Sequence, residues 1–157
     1  PERIHRMLER MAWQILERHG SEESVILVGV SKSGFRLAQL LQARIQAISP
    51  SPIALAEISV NKRSPASGPT ECSLRPSEFE GKNIVVIDDV LNTGATLIYA
   101  VHFFLQAPVK RLSTAVLIDR NFKKFPIKAD IKGMSLSTSL QDRVEVDLDG
   151  NEAVYLV

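Results

Sequence analysis

The chain predicts an α/β protein with a mainly parallel, twisted sheet flanked by helices, because strand-like and helix-like segments alternate along its length. Three observations carry that prediction. Uninterrupted aliphatic runs such as "SVILVGV" (24–30) and "NIVVI" (83–87) suit strands covered on both faces. Stretches with apolar residues at helical spacing separate them. Small and hydroxylated residues, "SKSG" at 31–34 and "NTGAT" at 92–96, stand where strand gives way to helix.

Residues 2–19 place Ile4, Met7, Leu8, Met11, Ala12, Ile15 and Leu16 on one helical face among Arg and Glu, and Gly20 closes the helix. Trp13 falls beside that stripe, as packing or interface. The strand 24–30 follows, then the SKSG turn and a second helix carried by Phe35, Leu37, Ala38, Leu41 and Ile45. "PIALAEISV" (52–60) reads as a strand. Residues 61–81 hold three prolines and two glycines with little periodicity, which predicts a long flexible loop with a function. A strand at 83–89, a helix from about Thr93 to Gln106 and a strand at 111–119 come next. Two short strands near 143–148 and 153–157 are expected to finish the sheet. No internal repeat or linker divides the chain, so residues 1–157 read as a single domain.

Composition narrows the function classes. With 19 basic and 18 acidic residues the net charge is +1, so no global field favours nucleic acid or a membrane surface. Cys72 is the single cysteine, which excludes an internal disulfide. No apolar run approaches the roughly 20 residues of a membrane span. The opening "PERIHRMLER" lacks the apolar stretch of a secretory signal, and the expected setting is the cytoplasm. His5, His19 and His102 are scattered without metal-ligand spacing, so no metal site made of protein ligands alone is expected. No Ser/His/Asp or Cys/His arrangement points to a covalent nucleophile, and no G-x4-G-K-[ST] string is present.

The informative stretch is "IVVIDDVLNTGATL" (84–97), in which an aliphatic strand ends in two carboxylates. Burying carboxylates is costly unless they are paired or hydrogen-bonded. In open α/β sheets, however, ligands bind beyond the carboxyl ends of the strands, where Asp88 and Asp89 stand. The loop Asn92-Thr93-Gly94-Ala95-Thr96 then enters a helix N-terminus, whose N–H groups and dipole favour a phosphate. Two threonine hydroxyls add donors, and Gly94 lets the backbone come close. Carboxylates beside a phosphate cradle suit a sugar phosphate, because they accept hydrogen bonds from vicinal hydroxyls. They also suit a metal ion that offsets the charge of the substrate.

"VVIDDVLNTGATL" resembles the phosphoribosyl-pyrophosphate (PRPP) binding signature of the type I phosphoribosyltransferases. The resemblance extends to "ILVGVSKSGFRLAQLL" (26–41), similar to that family's first strand, pyrophosphate loop and following helix. "TAVLIDRNFKKFPIKADIKGMSLST" (114–138) resembles the base-binding hood of one subgroup, the bifunctional pyrimidine operon regulator and uracil phosphoribosyltransferase. Together the similarity runs from about residue 11 to the end and is weakest at 60–82.

The resemblance implies a type I phosphoribosyltransferase fold with a flexible loop at 61–81 and a small base-binding hood at about 119–140. It implies transfer of a 5-phosphoribosyl group from PRPP to a nucleobase, uracil first, with release of pyrophosphate and dependence on Mg2+. Asp88 and Asp89 would bind the ribose hydroxyls, and Asn92, Thr93, Gly94, Ala95 and Thr96 the 5-phosphate. Ser31, Lys32, Ser33 and Gly34 would hold the pyrophosphate, Arg63 would close over it from the lid loop, and Arg120 would contact substrate from the hood. A homodimer is also implied, with PRPP and a nucleobase or nucleoside monophosphate as the small-molecule partners.

Two departures from the subgroup stand out. Its pyrophosphate loop carries a threonine–arginine pair, and here Lys32 supplies charge without the planar bidentate grip of an arginine. The lid has Lys62 and Arg63 but no tyrosine. A competing reading is a nucleotide-sensing, RNA-binding regulator of pyrimidine genes with little catalysis. Arg120, Lys123, Lys124, Lys128 and Lys132 would form its basic face. RNA is not favoured, because the net charge is balanced and Phe122 stands where the subgroup places a histidine. A third reading is a different phosphoryl-binding α/β protein, which would not bind PRPP.

Overall fold

Aliphatic strands buried on both faces do form a central parallel sheet, and helices cover both sides of it. The structure, a computed structural model, describes residues 1–20, 24–61, 64, 66, 70–139 and 141–157. The elements run α1 (Glu2–His19), β1 (Val25–Val30), α2 (Ser31–Ile48), β2 (Ile53–Ser59), β3 (Glu71–Cys72), α3 (Pro76–Phe79) and β4 (Asn83–Leu91). They continue with α4 (Ala95–Phe104), β5 (Arg111–Asp119), β6 (Ile131–Ser135), β7 (Val144–Asp147) and β8 (Ala153–Leu156). Six strands form one sheet in the order β3-β2-β1-β4-β5-β6, parallel throughout except for the short antiparallel β3 at one edge.

The apolar stripe of α1 is buried as its spacing requires, and Gly20, at φ 80, returns its N–H to the Leu16 carbonyl at 2.9 Å. Trp13 lies off that stripe and stays half-exposed. One face of the sheet packs under α1 and α2 through residues such as Met11, Ile15, Leu37 and Leu41. The other face packs under α3 and α4, where Phe79 and Phe104 meet edge to face with ring centroids 4.9 Å apart. Each fully buried side chain of that size contributes roughly 1.5–3 kcal/mol by leaving water. No helix among the described residues is long and apolar enough to cross a membrane.

Three expectations are corrected. The segments near 143–148 and 153–157 do not finish the main sheet. As β7 and β8 they pair with each other in a separate antiparallel hairpin, tied to the helices by Arg36–Asp149 at 2.7 Å and His5–Glu152 at 2.8 Å. The sheet is finished instead by β6, inside the stretch expected to be hood. Its sequence "IKGMS" carries a glycine where a strand would carry a β-branched residue. A Cβ there would stand 2.5 Å from the Leu117 carbonyl oxygen, so the close approach of β5 selects Gly133. Second, SKSG is the first turn of α2 rather than a loop before it, with Ser31 at φ 59 taking the bend from β1. Third, the end of the 61–81 stretch is not loop. It holds β3 and α3, because Phe79 has a pocket to fill between Phe103 and Phe104.

The β7–β8 turn carries a pH prediction. The N–H groups of Gly150 and Asn151, with that of Asp149, hold the Asp147 carboxyl below its usual range. A lowered folded value means the stabilisation is complete above the unfolded carboxyl's pKa and is lost as pH falls through the folded one. Below about pH 4 the Gly150 amide resonance should therefore shift in a titration followed by NMR. In Asp147→Asn that titration step should vanish.

Candidate functional site

The order of the strands creates the site. From β1 the chain crosses through α2 to β2 on one side, and from β4 it crosses through α4 to β5 on the other. The two helices therefore leave on opposite faces, and a crevice opens beyond the carboxyl ends of the adjacent strands β1 and β4. Asp88 and Asp89 end up at its floor.

Side chains alternate along a strand, so two consecutive aspartates face opposite ways and meet different surroundings. Asp88 is 5% exposed, and its Oδ1 accepts the Asp89 N–H at 2.8 Å. Asp89 is half-buried, and its Oδ1 accepts the Val90 N–H at 2.8 Å. Among the described residues, no hydrogen bond is made to Asp89 Oδ2, which leaves that oxygen for a ligand.

The following loop is shaped as a cradle. Gly94 holds φ 92 as the N-cap of α4, and a Cβ there would fall 2.5 Å from Cγ2 of Ile127. Left-handed conformation and lack of space both demand glycine. Thr93 Oγ1 accepts the Ala95 N–H at 3.3 Å, and the Gly94 carbonyl accepts the Ile98 N–H at 2.9 Å. Helix geometry leaves the N–H groups of Thr96 and Leu97 without an intrahelical acceptor. With the helix dipole, they favour an anion. Residues 88–97 line an open cleft around this loop.

The N-terminus of α2 stands beside the cleft rather than in its walls. A Cβ on Gly34 would lie 2.7 Å from the Ile87 carbonyl oxygen and 3.4 Å from the Asp88 Cα, so only a glycine brings α2 this near to β4. Ser31 and Ser33 are half-buried at this turn, and Lys32 is exposed. Lys62 and Arg63, expected on the lid, lie outside the described residues.

Arg120 turns inward. It is 8% exposed, and its Nη1 donates to Asn92 Oδ1 at 2.8 Å while Nε donates to Thr138 Oγ1 at 2.8 Å. Its Nη2 donates to the carbonyls of Ser139 at 3.2 Å and Asp142 at 2.7 Å, and Phe122 lies against the guanidinium. The chain after it lies on the phosphate-loop candidate: the Thr93 carbonyl accepts the N–H groups of Lys124 and Phe125 at 2.8 and 3.1 Å. None of these pairings has a local sequence signal. Asp119 is 2% exposed and is approached by Lys123 at 3.9 Å and Lys132 at 3.8 Å. Of the five residues expected on a basic face, Arg120 is thus turned inward and two lysines are drawn toward one buried carboxylate.

The residues fit a magnesium ion held jointly with a substrate. Among the described residues no group of three or more acidic, histidine or cysteine side chains converges. Mg2+ commonly takes one or two carboxylates and completes its shell with phosphate oxygens and water, and Asp89 offers an oxygen of that kind.

Comparisons with known proteins bear on the family and the fold. Residues 2–148 match the family model described as the phosphoribosyl transferase domain. The chain is 29% identical over 159 residues to a "Bifunctional protein PyrR" of Streptococcus thermophilus, covering 98% of this chain and 92% of the relative. It is 30% identical over 166 residues to the protein of that name from Haemophilus ducreyi, covering 99% and 91%. Among solved structures it resembles a hypoxanthine-guanine phosphoribosyltransferase of Bacillus anthracis, with TM-score 0.70, 23% identity and coverage of 86% and 77%. It also resembles the hypoxanthine phosphoribosyltransferase of Trypanosoma cruzi, with TM-score 0.77, 19% identity and coverage of 99% and 91%. At those identities the structural likeness speaks for the fold.

Proposed function

The chain belongs to the phosphoribosyl transferase domain family, and from that premise we propose that it moves a 5-phosphoribosyl group from PRPP to a nucleobase, uracil first, and releases pyrophosphate. One observation carries the reading. An aspartate pair with an open carboxylate oxygen and the N-termini of α2 and α4 meet at the point where the strand order reverses. A phosphorylated sugar carrying a second anionic group at C1 matches that arrangement from end to end.

In this reading the 5-phosphate lies on the N–H groups of Thr96 and Leu97, with the Thr93 and Thr96 hydroxyls beside it. Asp89 accepts hydrogen bonds from the ribose hydroxyls, and Asp88, from its buried position, holds the Asp89 amide in place. The pyrophosphate lies toward Ser31–Gly34 with Lys32 at its edge. The bond from C1 to the pyrophosphate oxygen breaks, a base nitrogen bonds to C1, and the proton of that nitrogen leaves to solvent. Positive charge develops on the ribose during the transfer, and the carboxylates below it stabilise that charge. Asp89, together with the substrate, would hold Mg2+, which would offset leaving-group charge.

A turnover screen tests this. The protein is incubated with PRPP, magnesium and, in turn, uracil, hypoxanthine, guanine, adenine, xanthine and orotate, and pyrophosphate release is followed. Release with uracil alone is expected. Release with a purine alone would move the proposal to that base. Silence with every base, despite measurable binding of PRPP or UMP, would favour the nucleotide-sensing regulator, and silence without binding would remove PRPP from the account.

A further inference from the structure

We infer that Arg120 is a positioning residue, a strut that makes the phosphate-loop candidate and the residues Thr138, Ser139 and Asp142 move as one body, and that it does not itself grip the substrate. This rests on the proposed binding of a 5-phosphate at Asn92–Thr96. A guanidinium has five N–H donors, and four of them here are spent on protein acceptors. The acceptors come from two places: Asn92 on the loop before α4, and Thr138, Ser139 and Asp142 after β6. A buried cation left with fewer partners is costly, so neither side can shift without the other or without breaking hydrogen bonds to a charge.

The surroundings make the coupling local and stiff. The Arg120 N–H itself donates to the Leu91 carbonyl at 3.2 Å, so the residue is fixed at the point where β4 ends and the phosphate loop begins. The Ser139 N–H donates to Asp142 Oδ2 at 2.8 Å, and the carbonyls of the same two residues accept from Nη2. A lysine could reach one of these acceptors but could not span Asn92 and Thr138 together, because it lacks the planar fork. An event at the phosphate loop is thus transmitted to Ser139 and Asp142.

Ribose 5-phosphate, which carries the phosphate and no base, is the probe. In the wild-type protein it should perturb the amide resonances of residues 93–97 and also slow amide exchange at Ser139 and Asp142 by about fivefold or more. In Arg120→Lys at saturating probe, the shifts at 93–97 should persist and the slowing at Ser139 and Asp142 should disappear. Asn92→Ala, which keeps the bonds of Arg120 to Thr138, Ser139 and Asp142, should give the same loss of slowing and serves if the lysine variant does not fold. Equal slowing in wild type and Asn92→Ala would overturn the strut. So would loss of all probe binding in Arg120→Lys with normal binding and slowing in Asn92→Ala, which would make Arg120 a substrate contact. Absence of any shift at 93–97 in the wild-type protein would instead overturn the phosphate site on which the inference rests.

Discussion

Asp89→Asn should weaken PRPP binding about ten- to a hundredfold in the presence of magnesium, while the melting temperature changes little. The two expectations separate because the carboxylate has two jobs. Its Oδ1 accepts the Val90 N–H, and an asparagine carbonyl can do the same. Its other oxygen makes no bond among the described residues, and there the substitution replaces an anionic acceptor by an amide donor. Hydrogen bonds to charged groups are worth about 1.5–3 kcal/mol, which sets the expected loss. Calorimetry against PRPP with a parallel thermal melt checks both halves. Asp88→Asn should behave differently, because Asp88 is buried and its carboxylate supports the Asp89 amide. Lower stability together with weaker binding is expected there.

Gly29→Ala should have the largest effect on stability of any single methyl added to the chain. Gly29 is the penultimate residue of β1, packed under the start of α2, and a Cβ would stand 2.2 Å from the Phe35 Cα and 2.3 Å from its nitrogen. Those are backbone atoms, so no side chain can swing aside, and α2 would have to lift from the sheet. Lifting it would pull Leu37 and Leu41 from the core and carry Ser31–Gly34 away from Asp88. Overpacking of this severity costs about 3 kcal/mol or more. In a domain of this size that corresponds to a fall in melting temperature of roughly 10 °C. Gly20→Ala is the contrast, since nothing lies within 4 Å of that position and only the positive φ opposes the methyl. It should cost about 1 kcal/mol. Equal melting temperatures for the two variants would contradict the packing described for β1 and α2.

The four inner strands β1, β2, β4 and β5 and the aspartate pair are readable because their signals are local. A run such as "NIVVIDD" holds its aliphatic core, its end and its functional groups within seven residues. The phosphate-loop candidate was readable for the same reason, as glycine and hydroxylated residues next to a helix start. β6 escaped because Lys132 and Gly133 break its pattern, and the glycine answers a carbonyl on β5 rather than any neighbour in sequence. The hairpin β7–β8 was recognised as two strands, but pairing partners are chosen by packing, which periodicity does not report. The resemblance assigns Arg120 to substrate, yet the hydrogen-bond acceptors of its side chain lie 18 to 28 residues away, and its inward turn depends on them.

The same division explains why a core strand ends in two acids. Asp88 is buried at the switch point and its carboxylate is hydrogen-bonded, so its position is fixed. Asp89 follows on the opposite side of the pleat, half-exposed, with one oxygen held and the other presented. A rigid strand thus offers a charged group at a set place and height, as the proposed sugar site requires.

The most direct test of that claim is a crystal structure of the protein with PRPP and magnesium. The 5-phosphate should lie within hydrogen-bonding distance of the Thr96 and Leu97 amides, with the ribose hydroxyls on Asp89. A 5-phosphate bound anywhere other than at the Asn92–Thr96 loop and the start of α4, or ribose hydroxyls turned away from the aspartates, would contradict it.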